Sequence, residues 1–198
     1  MGKEKYLKRI MALFGKSHVV KFSSIERIVR QRRGQYTKQV IRNLIKQGKI
    51  RPLTKGLYTT RNDASLVIYG FQPAYLGLQD ALSFHNLWEQ ETIPVIITSR
   101  KVRPGIRKAL EINVLVRRIN KKYLFGYNYY PESGIYLPYS DIEKTFIDMA
   151  YFKQPLGRAV LNNILKKTDF KKINKYLRVY PKKIRNRILL RIHPKRLR

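Results

Sequence analysis

The sequence predicts an α+β protein in three parts: an N-terminal winged helix-turn-helix over residues 1–62, a small α/β domain over 63–152, and a basic helical tail over 153–198. Three observations lead there. The first part alternates helical stripes with a single tight hairpin, the middle mixes helical stripes with apolar runs of strand length, and the end carries only short amphipathic helices. Charge divides the same way: 17 basic and 2 acidic residues in 1–62, 10 and 9 in 63–152, 16 and 1 in 153–198. The 198 residues, 43% of them apolar, suffice for a folded core in one large or two small domains.

In the first part, Leu7, Ile10, Met11 and Phe14 recur at helical spacing and Gly15 follows them, which predicts a first helix over Lys3 to Phe14. The segment HVVKF reads as extended. Ser23 and Glu26 then have capping-box spacing, with Phe22 as a hydrophobic staple, before a second helix carrying Ile25, Ile28 and Val29. A turn at Arg30 to Gly34 separates it from a third helix over Tyr36 to Gln47. There, at 100 degrees per residue, Val40, Ile41, Leu44 and Ile45 share one arc, with Thr37 near it. Lys49 to Leu53 and Leu57 to Thr60 read as two strands around the Thr54-Lys55-Gly56 turn.

The face of the third helix opposite its apolar arc carries Gln39, Arg42, Asn43 and Lys46, with Tyr36 and Gln47 flanking, and contains no acid; Gln35, Tyr36 and Lys38 at the helix start are expected to contact DNA with it. Arg can bond guanine with two hydrogen bonds, and Gln or Asn can do the same to adenine, so this mixture suits base edges better than an ordinary Lys/Glu solvated face does. Arg32 and Arg33 in the preceding turn and Lys55 in the hairpin turn are expected to meet the phosphate backbone and fix register.

In the middle part, Pro73 to Trp88 has a helical pattern and Ile93 to Thr98 that of a buried strand. Further strands are expected at Ile112 to Ile119, Tyr123 to Tyr127 and Ile135 to Leu137. Ser140 and Glu143 form a second capping-box pair before a helix with Ile142, Phe146, Ile147 and Ala150 on its apolar side. Asp141, Glu143, Lys144 and Asp148 together suggest a metal nuclease. Against that reading, Glu143 and Asp148 fall about 140 degrees apart on one helix, no strand supplies a paired carboxylate, and acids at a helix start complement its dipole. His85 reads as a packed or hydrogen-bonded residue at a helix end, and Tyr127, Tyr129 and Tyr130 as ordinary sheet tyrosines.

The tail contains three apolar stripes, broken at Thr168-Asp169 and Tyr180-Pro181. Its polar faces are basic, and Lys182, Lys183, Arg185 and Arg187 are expected to contact phosphates without regard to sequence. The stripes lack the Trp and Phe of an interfacial membrane anchor.

With 43 Lys and Arg against 12 Asp and Glu, the net charge of +31 points to a polyanionic partner. The chain has no cysteine, and His18, His85 and His193 lie far apart without ligand spacing, so no metal, no cofactor and no catalytic residue is expected. No window approaches 18 uninterrupted apolar residues, and the N-terminus lacks a signal-peptide core, which predicts a cytoplasmic protein without a membrane partner.

In order, the chain carries the hairpin IRPLTKGLYTT, the helix ALSFHNL, the strand VIITSRK and the helix SDIEKTFIDMAYF. This order, over about residues 5 to 155, resembles the AbiEi antitoxins, the regulator half of type IV toxin–antitoxin and abortive-infection modules. Asn86 departs from the pattern, which often has Gly after the His. The resemblance implies a DNA-binding repressor of its own operon, acting at inverted repeats in the promoter. It also implies antagonism of a nucleotidyltransferase toxin without a stable complex. Two alternatives stand beside it: an RNA-binding protein using both basic surfaces, and a stand-alone transcriptional regulator without a toxin.

Overall fold

The computed structural model describes residues 2–29, 34–132 and 134–192, with side chains from Tyr6 onward. It is a mixed α+β chain in two compact units, Met1–Gly70 with Lys108–Asn113, and Phe71–Arg107 with Val114–Arg198. Two expectations change. The first unit runs past residue 62 to include a 3₁₀ segment, Ala64–Gly70, and the expected tail 153–198 belongs to the same unit as the middle.

The first unit runs α1 (Gly2–Lys16), β1 (Val20–Lys21), α2 (Phe22–Val29), α3 (Gln35–Lys46), β2 (Arg51–Thr54) and β3 (Leu57–Thr59). Ile10 and Phe14 of α1, Ile25 and Val29 of α2, and Ile41 and Leu44 of α3 converge with Val20 and Ile50 into one core. Each such fully buried side chain contributes about 1.5–3 kcal/mol of transfer free energy. The strands form an antiparallel sheet in the order β1-β3-β2, with Val20 opposite Tyr58 and Arg51 opposite Thr59.

The Ser23/Glu26 capping box does not form, because α2 already begins at Phe22. Phe22 N donates to Gly56 O at 2.8 Å, so the hairpin turn is tied to the first residue of α2 and satisfies one of its unpaired helix-start donors. Gly34 precedes α3 in the left-handed region, φ +58°, where a Cβ would also stand 3.0 Å from Glu26 Oε1. Any other residue there meets both costs.

The second unit, apart from the Lys108–Asn113 tip of the β6–β7 hairpin, which groups with the first, runs β4 (Ala74–Leu76), α4 (Leu78–Phe84), β5 (Val95–Thr98), β6 (Gly105–Ala109), β7 (Ile112–Arg118), β8 (Tyr127–Glu132), β9 (Ile135–Ser140), α5 (Ile142–Tyr151), α6 (Arg158–Lys167), α7 (Phe170–Leu177) and α8 (Lys182–Ile192). Its six strands lie in the order β6-β7-β5-β4-β9-β8. β5 runs parallel to β7 and β4 to β9, while β4 with β5 and β8 with β9 are antiparallel.

The helix expected over Pro73 to Trp88 is a strand followed by a short helix. Ala74, Tyr75 and Leu76 are all buried between two neighbouring strands, and a strand covered on both faces loses the alternation that identifies it. The strand expected at Tyr123 to Tyr127 starts only at Tyr127, since Lys121–Tyr123 turns as a 3₁₀ helix capped by Asn120. β6 escaped prediction, its sequence GIRKA being too basic to show a strand pattern.

α5 lies in the core of this unit. Phe146, Ile147, Met149 and Ala150 share one core with Tyr75, Leu78 and Leu82 and with Ile164, Ile173, Leu177, Ile188 and Ile192 of α6, α7 and α8. The amphipathic stripes of the expected tail are thus core residues. No helix among the described residues is long and apolar enough to cross a membrane.

Candidate nucleic-acid interface

The apolar side of α3 buries Thr37, Ile41 and Leu44. Helical geometry then turns Gln35, Lys38, Gln39, Arg42, Asn43 and Lys46 outward, and all six are exposed, with Tyr36 half-buried at the edge. No ion pair reaches Lys38, Arg42 or Lys46 among the described residues. Gln39 Nε2 donates to Asn43 Oδ1 at 3.1 Å. The two amides therefore present as one unit, with Gln39 Oε1 and the Asn43 amide hydrogens left for an outside partner. Arg32 and Arg33 lie outside the described residues.

Beside this face is a groove of about 260 Å³ lined by Tyr6 and Leu7 of α1 and by Tyr36, Gln39, Val40, Asn43, Leu44 and Gln47. Periodicity placed Tyr36 and Gln47 at the flank of the α3 face. The approach of α1 is a tertiary feature with no local signal. Lys55 is exposed at the β2–β3 turn, next to Gly56 at φ +75°, and that turn is tied to the start of α2 by the Phe22–Gly56 hydrogen bond.

On α8, Lys182, Lys183 and Arg185 are exposed and Arg187 is half-buried. Arg185 Nη2 donates to Tyr180 O at 3.3 Å, and Arg191 Nη1 to Gln154 O at 2.8 Å. Arg191 thus anchors the helix to the chain after α5, and its burial and Arg187 lower its pKa. The α3 face and the α8 face belong to different units.

The carboxylates of α5 have partners inside the fold. Asp141, not Ser140, is the N-cap: its Oδ1 accepts from Lys144 N at 2.7 Å, and its Oδ2 from Tyr176 OH at 2.7 Å and Lys172 Nζ at 3.1 Å. Glu143 accepts from Asp169 N at 2.9 Å and from Lys172 Nζ at 2.9 Å, rather than closing a capping box. Ser140 instead shares a 2.7 Å hydrogen bond with Thr145. Lys144 and Asp148 form an ion pair with no solvent exposure, in which Tyr75 OH donates to Asp148 at 2.6 Å and Lys144 donates to Tyr180 OH at 3.1 Å.

Burial pushes the Lys144 ammonium down in pKa and the Asp148 carboxyl up, and their mutual attraction opposes both shifts. The phenols of Tyr75, Tyr176 and Tyr180 are raised, first by burial and then by neighbouring carboxylates. His85 ends α4 with Nε2 2.7 Å from Ser140 O, which fixes Nε2 as the protonated nitrogen. No group of three or more His, Cys, Asp or Glu among the described residues could hold a metal ion.

No protein-family model matches the chain, and no curated protein matches it. In structure it is similar to the RV2827C protein from Mycobacterium tuberculosis, known from a crystal structure, with a TM-score of 0.63 and 15% sequence identity over 95% of this chain and 76% of that one. At that identity the likeness is one of fold.

Proposed function

We propose that the first unit is a winged helix-turn-helix and that the chain is a sequence-specific, DNA-binding transcriptional repressor working in the cytoplasm. In this reading α3 enters the major groove and Arg42, Gln39 and Asn43 read base edges. Lys38 and Lys46 flank them, and Lys55 on the hairpin meets the phosphate backbone. One observation carries the reading: α3 exposes an acid-free face of amides and cations, and the hairpin that follows it is hydrogen-bonded to the helix before it. The cations of α8 add phosphate contacts that do not depend on sequence.

The order of the wing, ALSFHNL, VIITSRK and SDIEKTFIDMAYF segments extends the proposal to an antitoxin of the AbiEi type. Such a protein represses its own operon at promoter inverted repeats and antagonises a nucleotidyltransferase toxin without a stable complex. The deciding experiment sets duplex DNA carrying the upstream inverted repeat against structured RNA of equal length in competition for the protein. Preference for the duplex is expected. Equal binding of both would remove the repressor reading and favour an RNA-binding protein. Relief of growth arrest when the protein is co-expressed with a toxin of its own operon tests the antitoxin part separately.

A further inference from the structure

β5 and β7 are parallel neighbours, with Thr98 opposite Arg118, so the chain leaves both strands at the same edge of the sheet. Crevices beyond the carboxyl ends of parallel strands are where open α/β sheets take up small ligands. Here the loop after β5 and the segment leaving β7 border an open concavity of about 570 Å³, within the roughly 300–1,000 Å³ of small-molecule sites.

Four cations line it, Lys101 and Arg103 from the first loop and Arg118 and Lys121 from the second, with the hydroxyl of Ser99 and the amide of Asn120; no lining residue is acidic. All four cations are exposed, and none makes an ion pair among the described residues. The loop that carries two of them is held in place: Thr98 Oγ1 accepts from Arg100 N at 3.1 Å, Val102 N donates to Arg100 O at 2.9 Å, and Arg107 Nη2 donates to Arg103 O at 2.7 Å. Asn120 Oδ1 is engaged by Lys122 N at 3.1 Å, which leaves its NH₂ as a donor.

A concave surface lined by charges of one sign focuses the field and concentrates a counter-ion. Composition conceals this, because residues 63–152 balance 10 basic against 9 acidic residues overall. Part of that acid is Asp141, Glu143 and Asp148, which are engaged inside the fold.

We propose that this crevice binds a small ligand with two or more linked phosphates, of the inorganic polyphosphate or nucleoside polyphosphate class. The arginines supply planar forks for phosphate oxygens and the lysines point charges. Linked phosphates fit better than a single one, because the cations arrive in two pairs from two separate segments. The inference stands apart from the DNA reading: none of these residues lies on α3, the β2–β3 hairpin or α8.

The test is calorimetric titration of the full-length protein with inorganic tripolyphosphate at about 0.15 M salt, where diffuse surface attraction is screened. Arg103→Ala with Arg118→Ala should weaken binding at least about tenfold, since each change removes a charge-assisted contact. Lys8→Ala with Arg9→Ala removes the same charge from the exposed side of α1 and should change affinity less than about twofold. Arg103→Lys with Arg118→Lys keeps the charge, loses the forks and should fall between. Equal losses in the first two variants, or no binding by the native chain, would overturn the site. So would an effect of the crevice variant on single-stranded oligonucleotide binding with none on tripolyphosphate. Adenosine triphosphate in place of tripolyphosphate tells a nucleoside polyphosphate from the inorganic ion.

Discussion

Helices α3 and α5 are of similar length, 12 and 10 residues, and both carry charge, yet they treat it in opposite ways. On α3, Lys38, Arg42 and Lys46 stand in solvent with no acid beside them. On α5, Lys144 and Asp148 are wholly buried and bonded to each other and to two tyrosine hydroxyls, while the cap residue Asp141 and Glu143 hold Lys172 of α7. A cation paired inside the fold helps specify the fold, whereas an unpaired one on a shared face is available to a partner. Residue type alone does not separate the two cases. Burial and the nearest carboxylate do.

The largest effect that would break this comparison is on stability. Lys144→Ala leaves Asp148 buried without its counter-charge and should destabilise the second unit by about 3–5 kcal/mol. Trp88, the only tryptophan, packs against that unit's core, so urea unfolding followed by its fluorescence reads the loss. Lys144→Met with Asp148→Leu, made together with Tyr75→Phe and Tyr180→Phe so that no buried hydroxyl loses its partner, removes both charges at similar volume and should recover most of it. Lys46→Ala on α3 should stay within about 0.5 kcal/mol of the native chain. If Lys144→Ala also cost so little, the α5 pair would not be a structural element.

Alkali sharpens the same contrast. Tyr75 and Tyr180 are buried phenols with raised pKa values, and Lys172, though desolvation lowers it, is raised on balance by the hydrogen bonds it donates to Glu143 and Asp141. For each, the folded state holds its proton at a pH where the unfolded chain releases it. The contribution is therefore fully present below the unfolded value near 10 and is lost as pH rises above it. Urea midpoints read by Trp88 should fall from pH 10 upward, by up to about 1.4 kcal/mol per pH unit for each buried phenol. Tyr180→Phe should make the decline shallower by one such share. A midpoint unchanged between pH 9 and 11 would contradict the buried network.

The sequence revealed different things in the two units for a physical reason. α1, α2, α3 and the hairpin bury one side each, so period and turn residues located them, and the exposed face of α3 followed as the remainder. The second unit buries its elements on several sides. β4 therefore read as helix, and Ile164, Ile173 and Ile188 read as stripes of a separate tail although they complete the core around α5. The capping boxes failed as well: α2 begins one residue before Ser23, and Glu143 is held by Asp169 N and Lys172 Nζ, partners that local spacing cannot register. The cations at Lys101, Arg103, Arg118 and Lys121 were individually visible, but only the parallel pairing of β5 with β7 brings their two segments to one edge.

Arg42→Ala tests the exposed side of the comparison. Loss of a two-point base contact should weaken operator binding by about 1–3 kcal/mol and leave binding to random duplex nearly intact. Fluorescence anisotropy on both duplexes at one salt concentration measures the split. Equal losses would move Arg42 from base reading to the phosphate backbone, and the Gln39–Asn43 amide pair would then carry the specificity.

Lys55 carries the smallest expected effect and separates position from specificity. It projects from the hairpin turn, which Gly56 closes at φ +75° and which the Phe22 amide ties to the start of α2. A cation fixed to the scaffold in this way can set the register of α3 without touching a base. Lys55→Ala should therefore weaken operator and random duplex alike and reduce the slope of log affinity against log salt by about 0.9, the value for one phosphate contact on duplex DNA. Salt titrations of both variants on both duplexes make the comparison: Arg42→Ala should change discrimination more than slope, and Lys55→Ala slope more than discrimination. If Lys55→Ala instead reduced preference for the operator with the slope unchanged, the turn would be reading sequence, and the division of labour between helix and hairpin proposed here would be wrong.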